Sequence, residues 1–118
     1  MPPSTPPELC LALTTVSTRE QAHALARAMV ERRLAACVQL EPVESVYHWD
    51  GALQQDAEVR LLLKTTAARW PALYEALRAL HPYALPQILA LPVADALPAY
   101  ARWVGEQTSP PANAESAS

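Results

Sequence analysis

From Leu9 to Leu13 every residue is apolar, in the stretch ELCLALTT, Glu8–Thr15. A short unbroken apolar run suits a strand buried on both faces. In the segment after it, apolar residues recur at Ala22, Leu25, Ala26, Met29 and Val30. That spacing predicts an amphipathic helix over about Arg19–Arg33. Ser17 with Glu20 three residues on has the form of a capping box at its start. Alternation resumes in AACVQL, with Ala36, Val38 and Leu40 on one face and Cys37 and Gln39 on the other. The larger side chains then fall at Val43, Tyr47 and Trp49, so the parity switches. A bulge or bend at Glu41–Pro42 accounts for the switch, because proline cannot donate to a ladder. Asp50-Gly51 predicts a tight hairpin turn. The returning strand, DAEVRLLLKTT, sets Ala57, Val59, Leu61 and Leu63 on one face and Glu58, Arg60, Leu62 and Lys64 on the other.

WPALYEALRAL predicts a second helix, with Trp70, Leu73, Leu77 and Leu80 on one side and Pro71 in the first turn. PQILALPV predicts a strand that Pro92 places at an edge or a bulge. DALPAYARWVG predicts a third helix, capped by Asp95, facing inward at Leu97, Tyr100, Ala101 and Val104, and ended by Gly105. The order is that of an α+β, ferredoxin-like βαββαβ sandwich with a long bent hairpin and an extra C-terminal helix. Two main helices cover one sheet face only. The first and last strands are apolar on both, so the second face calls for another subunit.

Composition changes this picture at the ends. Six of the 12 prolines cluster in MPPSTPP and SPPANAESAS. Residues 1–7 and 107–118 are expected to be disordered tails around a single domain over 8–106. No apolar run nears the roughly 18 residues of a membrane span. No signal peptide is visible, so the cytoplasm is the expected compartment. A net charge of −3, with no basic stripe, gives a nucleic-acid partner little support. In the expected topology a strand separates Cys10 from Cys37, so both are expected to be free thiols.

Three stretches, LAACVQL, VYHWDGALQQDAEVRLLLKTT and LHPYALPQILALPV, resemble the CutA divalent-cation tolerance proteins in order and spacing. The resemblance runs from about Leu9 to Val104. It implies a cytoplasmic homotrimer, similar in architecture to PII signalling proteins, and a role in the response to divalent metal ions. Family members with a proposed copper site carry a cysteine on the first strand and a His-His pair before Pro-Tyr. This chain has Thr14 and Leu80 at two of those positions and keeps His81. Copper favours imidazole and thiolate ligands. The expected metal set is therefore His81 with Cys37, binding copper or another divalent cation weakly. A lone histidine before proline also reads as a structural turn residue, and Cys37 reads first as a small buried hydrophobe. Cys10 is expected in the core and His23 in solvent.

Tyr47, Trp49, Glu58, Lys64 and Tyr83 match positions that in this family gather near the clefts between subunits. They imply a site for a small polar or anionic ligand, the alternative to a metal role; the competing reading of Glu58, Arg60 and Lys64 is cross-strand ion pairing. No nucleophile–base arrangement or paired-acid motif is visible, and two glycines, Gly51 and Gly105, do not make a phosphate loop. Neither an enzyme nor an organic cofactor is expected.

Overall fold

The structure, a computed structural model, describes residues 5–110. The elements are β1 (Leu9–Val16), α1 (Arg19–Glu31), β2 (Cys37–Trp49), β3 (Ala52–Thr66), α2 (Trp70–Leu80), β4 (Leu89–Pro92) and α3 (Pro98–Gln107). The strands form one antiparallel sheet in the order β2-β3-β1-β4. This is the ferredoxin-like arrangement the element order predicts.

The α1 cap lies one residue later than the sequence pattern suggests. Thr18, not Ser17, is the N-cap, and its hydroxyl accepts from the Gln21 amide. The Gln21 side chain in turn accepts from the Ser17 amide, so the reciprocal pair uses Gln21 in place of Glu20. The helix also ends earlier, at Glu31, in a Schellman turn. Arg33 N–H donates to the Val30 carbonyl and Leu34 N–H to the Met29 carbonyl. Arg33 holds the left-handed conformation usual for glycine there, at φ 60°. Its side chain has work that glycine lacks: it donates to the Gln107 side chain at 3.0 Å, tying α1's exit to the end of α3.

The hairpin turn is as predicted. Asp50 and Gly51 take φ of 53° and 74°, the signs a type I′ turn requires. The bulge expected at Glu41–Pro42 is not formed, since pairing runs unbroken from Cys37–Lys64 to Trp49–Ala52. A two-residue loop closes on a hydrogen-bonded pair, and such pairs alternate along the ladder. Pro42 falls between them, with its nitrogen turned to the open edge of β2, where a missing N–H costs nothing.

α1, α2 and the sheet enclose the core, with Met29, Leu61, Leu63, Leu73 and Leu77 all at 0% exposure. On the second face the register aligns Leu11 with Leu91 and Lys64, and Leu13 with Leu89 and Leu62. α3 covers only one end of that face, through Ala101, Val104 and Leu9. Leu89 and Leu91 are left nearly half exposed, at 49% and 45%. The hairpin makes the molecule elongated, 60 × 34 × 22 Å.

α3 departs from the sequence reading in three respects. Asp95 accepts from the Ala96 amide and does not cap the helix. Proline bars its predecessor from helical geometry, so Leu97 is the extended N-cap residue and is exposed. Gly105 lies inside the helix: a Cβ there would stand 3.0 Å from Pro7 Cγ, so glycine permits that contact. The packed region accordingly reaches past both expected boundaries of 8 and 106. It includes Pro7 against α3 and Thr108, buried with its hydroxyl on the Val104 carbonyl. The remainder of the two expected tails, residues 1–4 and 111–118, lies outside the described residues.

Candidate functional site

His81 follows α2 directly. Pro82 forces it into extended geometry, φ −67° and ψ 136°, while its amide still reaches the Leu77 carbonyl. This turn directs the ring at β1. Nε2 lies 3.0 Å from the Thr15 carbonyl and 2.9 Å from the Thr14 hydroxyl. Nδ1 accepts from the Tyr83 amide at 3.1 Å. A carbonyl only accepts and an amide only donates, so the ring is neutral with its proton on Nε2. Both nitrogens are engaged, and a metal would have to displace the Tyr83 amide from Nδ1.

Burial pushes the His81 pKa below the usual 6.5, against the upward pulls of the Thr15 carbonyl and the Glu58 charge. The fold therefore favours the neutral ring. Its stabilising contribution is complete above pH 6.5 and is lost as pH falls through that value toward the lower folded one. The expected result is a melting temperature that drops as pH falls through 6.5 and below, with a shallower drop in His81→Gln. Thermal scans of both proteins at one concentration check it. Equal slopes would show that another group governs this range.

The Nδ1 contact of His81 positions Tyr83. Its phenol donates to Glu58 at 2.8 Å and lies 2.9 Å from the Ser17 hydroxyl, which is left to act as the donor in that pair. Across the sheet the Tyr47 phenol donates to Asp56. Burial pushes the Tyr83 pKa up; the Ser17 hydrogen bond opposes this, and the Glu58 hydrogen bond with the Glu58 and Asp56 charges adds to it. The Asp56 hydrogen bond, with the nearby carboxylate charges, pushes Tyr47 up to about 12. Both phenols are neutral donors at ordinary pH.

These groups border a cleft of about 590 Å³. Its floor is the hairpin and the end of β1, with Thr15, Ser45, Tyr47, Trp49 and Glu58; its wall is the loop from Tyr83 to Gln87. Of the sequence-predicted ligand residues, Tyr47, Trp49, Glu58 and Tyr83 meet here. Lys64 does not: its ammonium lies 5.8 Å from the Tyr100 ring centre, under α3. Arg60 is also absent, bound across the ladder to Glu41 at 2.9 Å. The cross-strand ion-pair reading thus describes Arg60 and not Glu58. Sequence reasoning missed Asp56, Ser17 and Thr15. Asp56 shares strand parity with Glu58, a usable signal, whereas the place of Ser17 before α1 has the form of a cap.

The two expected metal residues stand apart within one chain. Cys37 begins β2 opposite Lys64, on the second face. His81 contacts β1 at Thr14, whose strand neighbours place it on the core face. Leu80 is turned away, into a small hollow between α1 and α2. Among the described residues no group of three or more His, Cys, Asp or Glu is placed to hold a metal. Cys10 and Cys37 are free, and burial raises the Cys10 thiol pKa.

Residues 10–107 match the family model of the CutA1 divalent ion tolerance protein. The chain belongs to the CutA1 family. The divalent-cation tolerance protein CutA of Thermus thermophilus is 46% identical over 99 residues, 83% of this chain and 96% of that protein. The solved CutA of Synechococcus elongatus superposes with a TM-score of 0.85 at 42% identity, covering 90% of this chain and 95% of its own. An Archaeoglobus fulgidus structure, described as a periplasmic divalent cation tolerance protein CutA, has a TM-score of 0.83 at 27% identity over 86% of this chain and 99% of its own. The CutA1 fold thus presents two separate features here: a histidine latch at the end of α2 and an aromatic, acidic cleft beside it.

Proposed function

We propose that this CutA1 chain acts in the divalent-cation response as a non-enzymatic, cytoplasmic homotrimer. It binds divalent metal weakly and takes a small ligand in the hairpin cleft at a subunit boundary, as a PII-like sensor does. The observation that carries the reading is the cleft lining. Its charged side chain is Glu58, its phenols donate to carboxylates, and the basic groups that share the strand face of Glu58, Arg60 and Lys64, are held elsewhere. Such a surface favours a cationic occupant and opposes the anionic one that the sequence left open.

The half-exposed leucines on the second face and the projecting hairpin support assembly, because large apolar patches mark interfaces. A catalytic role for His81 finds no support, since both ring nitrogens are committed to the fold.

Copper at His81 and Cys37 is weak in this reading. The imidazole lone pair is held by the Tyr83 amide, and the thiol is on the other sheet face. Calorimetric titration is expected to give a copper Kd weaker than about 1 µM, further weakened below about pH 6 as the imidazole protonates. Nanomolar affinity would overturn the assignment and require a preformed site.

A further inference from the structure

The cleft combines three features that together define a ligand class. First, its charge has one sign. Among the described residues the ion pairs are Arg60–Glu41 and Arg78–Glu75, so Glu58, the charged residue of the lining, is not neutralised by a side-chain cation. Second, its walls are largely apolar and aromatic: Trp49 and Tyr47 on the floor, with Val46 and Leu85 beside them. Third, its volume of about 590 Å³ matches a small organic molecule rather than a bare ion. A hydrated divalent cation has no use for the apolar walls, and an anion is repelled by Glu58.

We infer that the cleft takes an organic ammonium, a protonated amine on an apolar body about the size of one aromatic ring. This rests on the cleft being the binding site, as proposed above. The ammonium N–H groups donate to the Glu58 carboxylate, which already accepts from Tyr83 and has further acceptor capacity. The cation lies against the electron-rich faces of Trp49 and Tyr47, and its apolar body covers Val46 and Leu85. The phenol hydrogens point to carboxylates, so the phenol oxygens present acceptors, not donors, to an N–H.

The test uses the full chain in its native assembly and three probes of one shape: benzylammonium, benzyl alcohol and benzoate. Binding is followed by calorimetry and tryptophan fluorescence. Benzylammonium is expected to saturate the site at least about tenfold more tightly than benzyl alcohol, a difference of about 1.4 kcal/mol, with benzoate weakest. Glu58→Gln keeps an acceptor for Tyr83 and removes the charge. It is expected to weaken benzylammonium about tenfold and leave benzyl alcohol unchanged. Trp49→Ala is expected to weaken both, which separates the aromatic contribution from the charge. Circular dichroism verifies that each variant is folded. Equal affinity for the alcohol and the ammonium overturns the inference, as does an ammonium affinity indifferent to Glu58→Gln. Zinc titrated in parallel separates the two levels. Zinc binding that Glu58→Gln abolishes, without ammonium binding, keeps the cleft as a cation site and rejects the organic ligand. Failure of all four probes rejects both.

Discussion

Leu61→Ala is expected to destabilise the fold by about 2–5 kcal/mol, the usual cost of emptying a Leu-sized space in a packed core. Leu61 is at 0% exposure on β3, paired with Thr14 on β1 and Leu40 on β2, in the middle of the core that α1 and α2 cover. Its strand neighbours are fixed by continuous pairing on both sides, so the backbone cannot collapse into the void. Val30→Ala, at a position 41% exposed on α1, is the matched control, with a change of about 0.5 kcal/mol or less. Denaturant unfolding of both variants at a fixed protomer concentration measures the difference, because assembly shifts apparent stability. A Leu61 effect no larger than that of Val30 would mean that the core lies elsewhere.

Leu91→Asp is expected to abolish the proposed homotrimer while leaving the protomer folded. Leu91 is 45% exposed on the edge strand β4, beside Leu11 on the uncovered face. In a single protomer the new carboxylate reaches water at little cost. Buried without a partner it costs about 3–5 kcal/mol, and every subunit carries it. Light scattering at micromolar concentration should therefore give a monomer mass, with helical circular dichroism retained. A surviving trimer would show that the assembly uses another surface. Here the same leucine is nearly neutral for the fold and decisive for association, the reverse of Leu61.

His81 shows how far a local pattern extends. That Pro82 would hold His81 in extended geometry followed from the sequence, and the ring's immobility followed from that. Its purpose did not, because the Thr15 carbonyl and the Tyr83 amide are acceptor and donor brought together only by folding. The same holds for Lys64. Strand parity placed it correctly on the face of Glu58 and Arg60, yet the three side chains diverge to Tyr100, Tyr83 and Glu41. Parity assigns a face; the neighbour on that face belongs to another element.

By itself, the sequence determined the elements, the tight Asp50-Gly51 turn and the family, and limited Pro92 to an edge or a bulge. These rest on steric rules and periodicities acting over a few residues: proline's missing donor, glycine's access to positive φ, the 3.6 and 2.0 repeats. Helix ends were less legible, since Thr18 and Ser17 are both competent caps and only the position of the strand end chooses between them. The unbroken ladder at Pro42 was decided by tertiary structure, because whether a proline disrupts pairing depends on whether its nitrogen faces a strand or an open edge. So was the cleft. Tyr83 and Glu58 are 25 residues apart in sequence and meet across a loop that His81 holds in place. No local rule encodes such a contact: it exists because the packing of α2 on the sheet delivers the loop to the hairpin, and packing is a property of the whole chain.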